Sequence, residues 1–317
     1  MKQNQNQNNR GIDELVAVLK KDKQARITIC RQSHHLFFVT YLGHIIEHQF
    51  APFHYEMFRL SQNQSLKNLV VMGFRNCAKS TLLTYSLPIW SVLGEHQKKF
   101  VVIASQTRQQ ARMHLLNIKR ELESNTLLKQ DLGPFQTHED EWGSYTITLP
   151  KYGAKIMSAS VEQSVRGIRH GNRRPDLIIL DDIEDSSSIN TKERRDKTHD
   201  WLTGEIIPAG DTYTRVVVVG NLLHEDSLLL RLKHAIEEDK MTGVFRAFPL
   251  LEKDGNINWL SKFPDNNAVE ELRKSTGDSR TWKREYLLEL VPSDNQVVYR
   301  EWIRYYETMP AFDSGDY

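Results

Sequence analysis

The stretch Leu69-Val70-Val71-Met72-Gly73-Phe74-Arg75-Asn76-Cys77-Ala78-Lys79-Ser80-Thr81 is an apolar run followed by a loop that ends in Lys-Ser-Thr. Phosphate-binding P-loops follow the pattern G-x-x-x-x-G-K-[ST], in which glycines let backbone N–H groups surround a polyphosphate, the lysine reaches the terminal phosphates and the hydroxyl binds Mg²⁺. Gly73, Lys79 and Ser80 fit, whereas Ala78 stands where the second glycine is expected. If that position needs a positive φ, alanine costs about 1 kcal/mol or more. The stretch predicts a buried strand, an imperfect P-loop and a following helix.

A second apolar run, Leu177-Ile178-Ile179-Leu180, ends in the carboxylates Asp181 and Asp182. Ligands of parallel sheets bind outside the carboxyl ends of the strands, so this run would deliver an acid to the edge where the P-loop lies. There Asp181 would hold Mg²⁺ and Asp182 would polarise the attacking water. Glutamate is more usual at the second position, which leaves Glu184 or Asp185 as alternative water-activating groups. The simpler interpretation is a strand followed by an acidic turn.

The middle of the chain predicts an α/β fold. From residue 68 onward, four apolar runs (69–72, 100–104, 177–180 and 215–219) alternate with helical patterns, as in parallel strands buried on both faces. Residues 145–158 suit an antiparallel hairpin at one edge of the sheet. Lys79 precedes Asp181 by 102 residues. This spacing, with one extra strand, predicts a P-loop NTPase of the additional-strand (ASCE, RecA-like) type with a mostly parallel sheet flanked by helices.

We expect four segments along the chain. Residues 1–10 are almost all Gln and Asn and predict a disordered tail. Residues 11–65 form an N-terminal helical appendage, with helices at 36–50 and 52–60, and residues 66–250 form the ATPase core. Residues 251–317 contain C-terminal helices, at 268–274 and 280–289, and a linker.

Composition excludes several classes of protein. The 317 residues have 39% hydrophobic and 26% charged residues, as in ordinary globular proteins. No apolar run approaches the roughly 20 residues of a membrane span, and the N-terminus lacks a signal-peptide pattern, so we expect a cytoplasmic protein without a membrane partner. Only Cys30 and Cys77 are present, too few for a disulfide framework. Because the net charge is +1, any contact with a polyanion must be local.

Two further patterns could act on a bound nucleotide. Gly220-Asn221 follows the apolar run 216–219, where an amide can sense the γ-phosphate, although taken alone the pair is better explained as a turn after a strand. The stretch 164–175 carries four arginines, and an arginine presented to a neighbour's γ-phosphate raises the hydrolysis rate about 10³- to 10⁵-fold. The alternative is a solvated basic loop. The arginines are Arg166, Arg169, Arg173 and Arg174.

The order of these motifs resembles the ATPase part of the large terminase subunit of tailed double-stranded DNA phages, over approximately residues 35–310. The resemblance rests on the P-loop with its internal arginine, the hairpin, S-V-R-G (164–167), R-P-D-L-I-I-L-D-D (174–182) and V-V-V-G-N (217–221). It implies a motor that docks on the portal protein of a procapsid in the host cell cytoplasm. That motor would pump double-stranded DNA inside by hydrolysing ATP with Mg²⁺. It further implies a homo-oligomeric ring, a pentamer, and a small terminase subunit as partner.

The resemblance also implies roles for particular residues. Residues 73–81, which are Gly73, Phe74, Arg75, Asn76, Cys77, Ala78, Lys79, Ser80 and Thr81, would surround the phosphates, with Arg75 as the loop arginine. Asp181 and Asp182 would be the acidic pair, and Asn221 the coupling residue. Arg166 is the first candidate for an arginine acting in trans, and Arg169 the second. His54 or Tyr55 would contact adenine, with packing in an aromatic core as the alternative. Ala78 and Asp182 depart from the family pattern.

Other possibilities stay open. The family carries a C-terminal nuclease, but Asp313 and Asp316 lie too near the end of this sequence to form its acidic triad, so we expect no nuclease activity. The alternatives to a packaging motor are another P-loop translocase or helicase-like ATPase, and a non-catalytic nucleotide-binding packaging subunit. Candidate DNA contacts are the basic pairs at 98–99, 173–174 and 194–195, which could equally be solvated faces.

Overall fold

A computed structural model describes residues 21–136, 141–163, 165 and 167–290. A seven-stranded sheet forms its centre. The strands are β1 (Asn68–Gly73), β2 (Phe100–Ser105), β3 (Thr146–Leu149), β4 (Ala154–Ser160), β5 (Leu177–Asp181), β6 (Arg215–Gly220) and β7 (Val244–Phe248). Their order is β3-β4-β2-β5-β6-β1-β7. Neighbouring strands are parallel except β3 and β4, which form the expected antiparallel hairpin at one edge.

The position of β6 decides the type of fold. β6 lies between β1 and β5, with Val218 aligned to Val70 on one side and to Leu180 on the other. The strand before the P-loop and the strand that ends in the acidic pair are therefore separated by two strand spacings, about 10 Å. A strand inserted at this place is the mark of the additional-strand type, and the mostly parallel α/β fold is confirmed.

Helices cover both faces of the sheet. On the N-terminal side of β1 are α1 (Lys23–Gln32), α2 (His34–Tyr41) and α3 (Pro52–Gln62). The predicted helix at 36–50 is too long, because it ends at Tyr41 and a short 3₁₀ turn follows at Gly43–Ile45. After the P-loop, α4 begins as a wide π-helical stretch, Thr81–Ser86, and continues as Leu87–Leu93. Pro88 explains the wide turn, since it has no N–H to continue the i to i−4 pattern.

The remaining helices follow in chain order. They are α5 (Arg108–Ser124), α6 (Thr126–Leu132), α7 (Lys192–Trp201, extended by Leu202–Ile206 and Ile207–Ala209), α8 (Leu228–Glu237), α9 (Asn266–Thr276) and α10 (Ser279–Trp282, extended by Lys283–Leu287). None of the helices in the described part of the chain is long and apolar enough to cross a lipid bilayer.

Alternate residues of each central strand enter two different cores. Leu69 and Val71 of β1 join a core with α1 to α6 and the C-terminal helices. Val70 and Met72 join a second core with α7 and α8. Because both faces of the sheet are covered, β1, β2, β5 and β6 are buried at every position. That double burial is why these strands read as continuous apolar runs.

The sequence gives no comparable signal for β7. This strand pairs with β1 only, at the other edge of the sheet, and its central residues are half-buried or exposed. Arg246 points outward and forms an ion pair with Glu56 at 2.8 Å. An edge strand with a charged outer face lacks the apolar run that marks the central strands.

Candidate nucleotide-binding site

The P-loop joins the end of β1 to the start of α4. Its backbone has positive φ at two residues that are not glycine, Asn76 and Ala78, both at 63°. Asparagine tolerates this left-handed conformation, whereas an alanine in it costs roughly 1 to 2 kcal/mol. The position of the missing second glycine therefore does need a positive φ, and Ala78 adopts it with strain.

Gly73 is required by close packing inside the loop. A Cβ at Gly73 would lie 2.6 Å from the Cys77 Sγ and 3.3 Å from the Lys79 Cδ. The Lys79 side chain therefore runs against the backbone of the loop, where the residue is 7% exposed. This arrangement directs a single lysine along the P-loop, as phosphate binding requires.

His54 packs inside the protein against the P-loop and hydrogen-bonds its backbone. The Ala51 N–H donates to His54 Nδ1 at 2.9 Å, so Nε2 carries the ring proton and donates it to the Cys77 carbonyl at 3.1 Å. The residue is 0% exposed, and burial lowers the pKa of its imidazole to about 4, which keeps it neutral. The expectation that His54 contacts adenine is therefore corrected: both ring nitrogens are engaged inside the protein, and the ring fixes the shape of the loop.

The hydroxyl of the P-loop meets the acidic strand. Ser80 Oγ donates to Asp181 Oδ1 at 3.2 Å. The Asp181 side chain is 1% exposed, and its Oδ2 makes no hydrogen bond to any described residue, although His114 Nε2 lies 3.5 Å away. A hydroxyl and a buried carboxylate with a spare oxygen are hard ligands that suit Mg²⁺. Within the described residues, no group of three or more His, Cys, Asp or Glu could hold a metal ion, so other ligands would come from phosphate and water.

The two other carboxylates of this region differ in their surroundings. Asp182 is exposed and lines the cleft. Partial desolvation and then the neighbouring Asp181 raise its pKa to about 6. Glu184 is buried, and both of its carboxylate oxygens lie 2.9 Å from the N–H of Leu228, the first residue of α8. Burial raises the pKa of Glu184 to about 7. Asp182 is thus open to a ligand, whereas Glu184 also caps a helix.

These residues surround one cleft of about 480 Å³ at the carboxyl ends of the strands. The lining includes residues 75–81, Asp182, Glu184, Asp185 and Asn221, as the sequence predicts, together with Gln110 and Glu285. Glu285 accepts a hydrogen bond from Asn221 Nδ2 at 2.7 Å and lies 3.7 Å from Arg75 Nη1. The P-loop, the acidic pair and Asn221 are therefore brought together by the fold.

Two solved structures share this architecture at low sequence identity. The large terminase of bacteriophage HK97 is 13% identical, with a TM-score of 0.53, over 76% of this chain and 51% of that protein. The other is an ATPase-domain mutant of the large terminase of Thermus phage P74-26, also 13% identical. It has a TM-score of 0.52 over 80% of this chain and 98% of that domain. The fold is that of a phage large terminase ATPase domain. The chain thus spans about half the length of the HK97 protein.

The sequence matches no protein-family model and no curated protein. In this terminase fold the motifs that are separate in the sequence lie together at one cleft. Arg75 leaves the P-loop toward the side where Asn221 and Glu285 lie, and Asp182 borders the same cleft. Ser80 and Asp181 meet at the base of the P-loop.

The basic loop of this terminase fold is only partly described. Arg166 lies outside the described residues. Arg169 is exposed and is not among the residues that line the cleft of its own chain. Arg174 is not free, because its Nη1 donates to the Pro208 carbonyl at the end of α7 at 3.1 Å.

Sequence reasoning missed three residues of the site: Gln110, His114 and Glu285. Gln110 forms a capping box with Thr107 at the start of α5, a pattern that is readable but that predicts only a helix start. His114 lies one turn further along α5 and reaches Asp181. Glu285 lies in a predicted helix 210 residues after Arg75, and no local pattern distinguishes it from other helical glutamates.

Proposed function

We propose that this chain is the ATP-hydrolysing motor domain of a terminase large subunit, which moves double-stranded DNA into a procapsid. The observation that carries ATP hydrolysis is the hydrogen bond from Ser80 Oγ to Asp181 Oδ1 at 3.2 Å, because it joins the P-loop to the acidic strand across an inserted strand. The terminase assignment is supported by the shared fold and by the motifs that resemble that family.

The residues divide the work of binding and hydrolysis. Lys79 and the backbone N–H groups of residues 73–81 bind the phosphates of ATP at the N-terminus of α4. Ser80 and Asp181 hold Mg²⁺, which neutralises charge on the phosphates when bound. Asp182 orients and polarises the attacking water, with Glu184 as the alternative group. Asn221 senses the γ-phosphate.

An arginine of a neighbouring copy completes the site in this proposal. Arg169 is exposed and absent from the cleft of its own chain, which is compatible with a role in trans. Arg166 is the other candidate from the same loop. A guanidinium beside the γ-phosphate stabilises charge in the transition state, so the rate per subunit would rise as a ring, a pentamer, assembles on the portal protein.

The wider setting follows from the same proposal. The ring would bind the portal protein of a procapsid and a small terminase subunit in the host cell cytoplasm. Since the chain has a net charge of only +1, contact with DNA would be local, tolerant of sequence and weakened by salt. We assign ATP hydrolysis but no DNA cleavage to this chain, which an assay of plasmid nicking with Mg²⁺ or Mn²⁺ tests.

Steady-state ATP hydrolysis tests the central claim. Lys79→Ala should lower the rate by about 10²-fold or more, because it removes a charge that stabilises the transferring phosphoryl group. The matched control is Lys240→Ala, an exposed lysine paired with Glu238, which should leave the rate unchanged. Equal, background-level rates for wild type and Lys79→Ala, with and without procapsids and DNA, would refute the motor.

One observation favours a second candidate. The strain at Ala78 is compatible with a subunit that binds nucleotide without hydrolysing it. That subunit would bind ATP in a Lys79-dependent manner and release no phosphate under any condition of assembly. Measuring binding and hydrolysis on the same preparation separates the two candidates.

A further inference from the structure

We infer that His114, near the middle of α5, is a positioning residue that orients the Asp181 carboxylate toward Mg²⁺. Its Nε2–H donates to Asp181 Oδ2 when the metal is bound, which keeps Oδ1 turned toward Ser80. This role rests on the proposed binding of ATP and Mg²⁺. It extends the site to a helix that carries none of the motifs identified in the sequence.

The two oxygens of the Asp181 carboxylate have different surroundings. Ser80 Oγ donates to Oδ1 at 3.2 Å. The side chain is only 1% exposed, and its Oδ2 has no hydrogen-bond partner among the described residues. A buried carboxylate oxygen is costly unless a donor satisfies it. Oδ2 therefore requires a donor from the protein or from water.

His114 is placed to supply that donor. Its Nε2 lies 3.5 Å from Asp181 Oδ2, slightly beyond the usual N–H···O range of about 2.7–3.2 Å. The side chain is 26% exposed and borders a cavity of about 480 Å³, which Ser80 and Thr81 also line. The ring therefore has room to move by the roughly 0.5 Å that a hydrogen bond needs. Contacts of this kind are often long without a ligand and shorten when the complex forms.

A second group beside Asp181 also lacks a partner. The register of β2 and β5 places Ser105 next to Asp181 at the carboxyl ends of two neighbouring strands. Their side chains point to the same face of the sheet, because Ile103 and Ile179, two residues earlier in each strand, enter the same core. Ser105 Oγ is buried and has no hydrogen-bond partner within the described part of the chain. Since a carboxylate oxygen has two lone pairs, Oδ2 can accept from both His114 and Ser105.

The orientation of the Asp181 carboxylate matters for the affinity of the metal. Because Mg²⁺ requires near-ideal octahedral geometry, its binding depends on where Oδ1 points. A donor on Oδ2 fixes the rotation of the carboxylate before the metal arrives. Partners of this kind typically contribute roughly 10- to 100-fold to metal affinity. The His114 ring acts while neutral, since a neutral imidazole with its proton on Nε2 is already a donor.

Two substitutions at His114 separate a positioning role from a structural one. His114→Leu removes the donor at similar size, whereas His114→Gln keeps an amide N–H near the position of Nε2. We expect His114→Leu to weaken the binding of Mn²⁺ about tenfold, and His114→Gln to retain most of the affinity. The affinity is measured by electron paramagnetic resonance of free Mn²⁺, titrated into the full chain saturated with a non-hydrolysable ATP analogue.

Two controls accompany this titration. The affinity for the analogue without metal, measured by calorimetry in EDTA, should be the same for wild type and both variants. Asn117→Leu changes an exposed residue three positions further along α5 that lines the same cavity, and it should leave the binding of Mn²⁺ unchanged.

The possible outcomes are distinct. Equal Mn²⁺ affinity of wild type and His114→Leu would overturn the role of His114, and so would a loss that His114→Gln shares in full. A matching loss of analogue affinity in EDTA would also overturn it, because the residue would then shape the site as a whole. Wild type that binds no analogue, or Lys79→Ala that binds it equally well, would refute the proposed function instead.

A measurement on the native ring applies if His114→Leu does not fold. Long-range ¹H–¹⁵N spectra of wild type with the analogue and Mg²⁺ should show a proton on His114 Nε2, with the signals of this ring identified by their absence from His114→Gln. A ring whose only proton is on Nδ1 would contradict a donor at Nε2.

Discussion

Replacing Glu184 with glutamine should stabilise the protein at alkaline pH and change its stability little at acidic pH. Burial raises the pKa of Glu184 from its ordinary value of 4.5 to about 7 in the folded protein. A carboxyl group whose folded-state pKa is raised stabilises the fold fully below its unfolded pKa. That contribution is lost as the pH rises through the folded pKa. The difference in pKa corresponds to roughly 3 kcal/mol of stability lost between about pH 4.5 and pH 7.

Glutamine does not ionise and so escapes this loss. The two carboxylate oxygens of Glu184 share a single donor, the Leu228 N–H, and one amide oxygen is enough to accept it. We therefore expect Glu184→Gln to be more stable than wild type by about 2 to 3 kcal/mol near pH 8.5, and by less than about 1 kcal/mol near pH 5.

Urea denaturation of both proteins at the two pH values measures this difference. The exposed Glu95 provides the control, since Glu95→Gln removes a carboxylate that is not buried and should change stability equally at both pH values. If the stability of Glu184→Gln relative to wild type does not grow between pH 5 and pH 8.5, the carboxylate is not desolvated as the structure indicates.

Three other predictions concern the site. Asp182→Asn should lower ATP hydrolysis by about 10²-fold, whereas Glu184→Gln should retain most of it, and the reverse order would identify Glu184 as the water-activating group. Ala78→Gly should leave stability unchanged or raise it by up to about 1 kcal/mol in urea denaturation, because it relieves a positive φ. Ala268→Gly, at a helical site in α9, should lower stability by about 1 kcal/mol, and equal losses at the two sites would contradict the strain at Ala78. His54→Ala should destabilise the fold by about 1 to 3 kcal/mol and weaken nucleotide binding, and unchanged binding in calorimetry would show that the loop keeps its shape without the ring.

The sequence predicts those parts of the fold in which burial and function leave local patterns. β1 and β5 are recognisable because both faces of each strand are covered, and Lys79 and Asp181 then follow at their carboxyl ends. The sequence also predicts β6 as a buried strand, since its run of residues is as apolar as those of its neighbours. β7 has no such pattern, because it pairs on one side only and exposes Arg246.

The same limit applies to the site. His54 stands close to the P-loop in sequence, which makes a contact with the nucleotide a reasonable expectation. The helix that carries it nevertheless turns the ring into the core, where it binds the Cys77 carbonyl. Glu184 can be identified as an acid near the strand, yet its hydrogen bond to Leu228 depends on how α8 begins 44 residues later. Glu285 depends on a tertiary contact that sequence spacing does not encode.

The conformation of the P-loop is stabilised by residues that lie far from it in the sequence. Its left-handed Ala78 costs roughly 1 to 2 kcal/mol, and such strain persists only where the surroundings determine the backbone. Three successive residues of the loop are fixed by distant partners: the Arg75 N–H by the Glu285 carbonyl, the Asn76 carbonyl by Lys262 Nζ at 2.9 Å, and the Cys77 carbonyl by His54.

At about 0.5 to 1.5 kcal/mol each, these three hydrogen bonds are enough to offset the strain. Two of the three come from residues after β7. The conformation that binds phosphate is therefore coupled to the C-terminal segment, and a perturbation of either should be felt by the other.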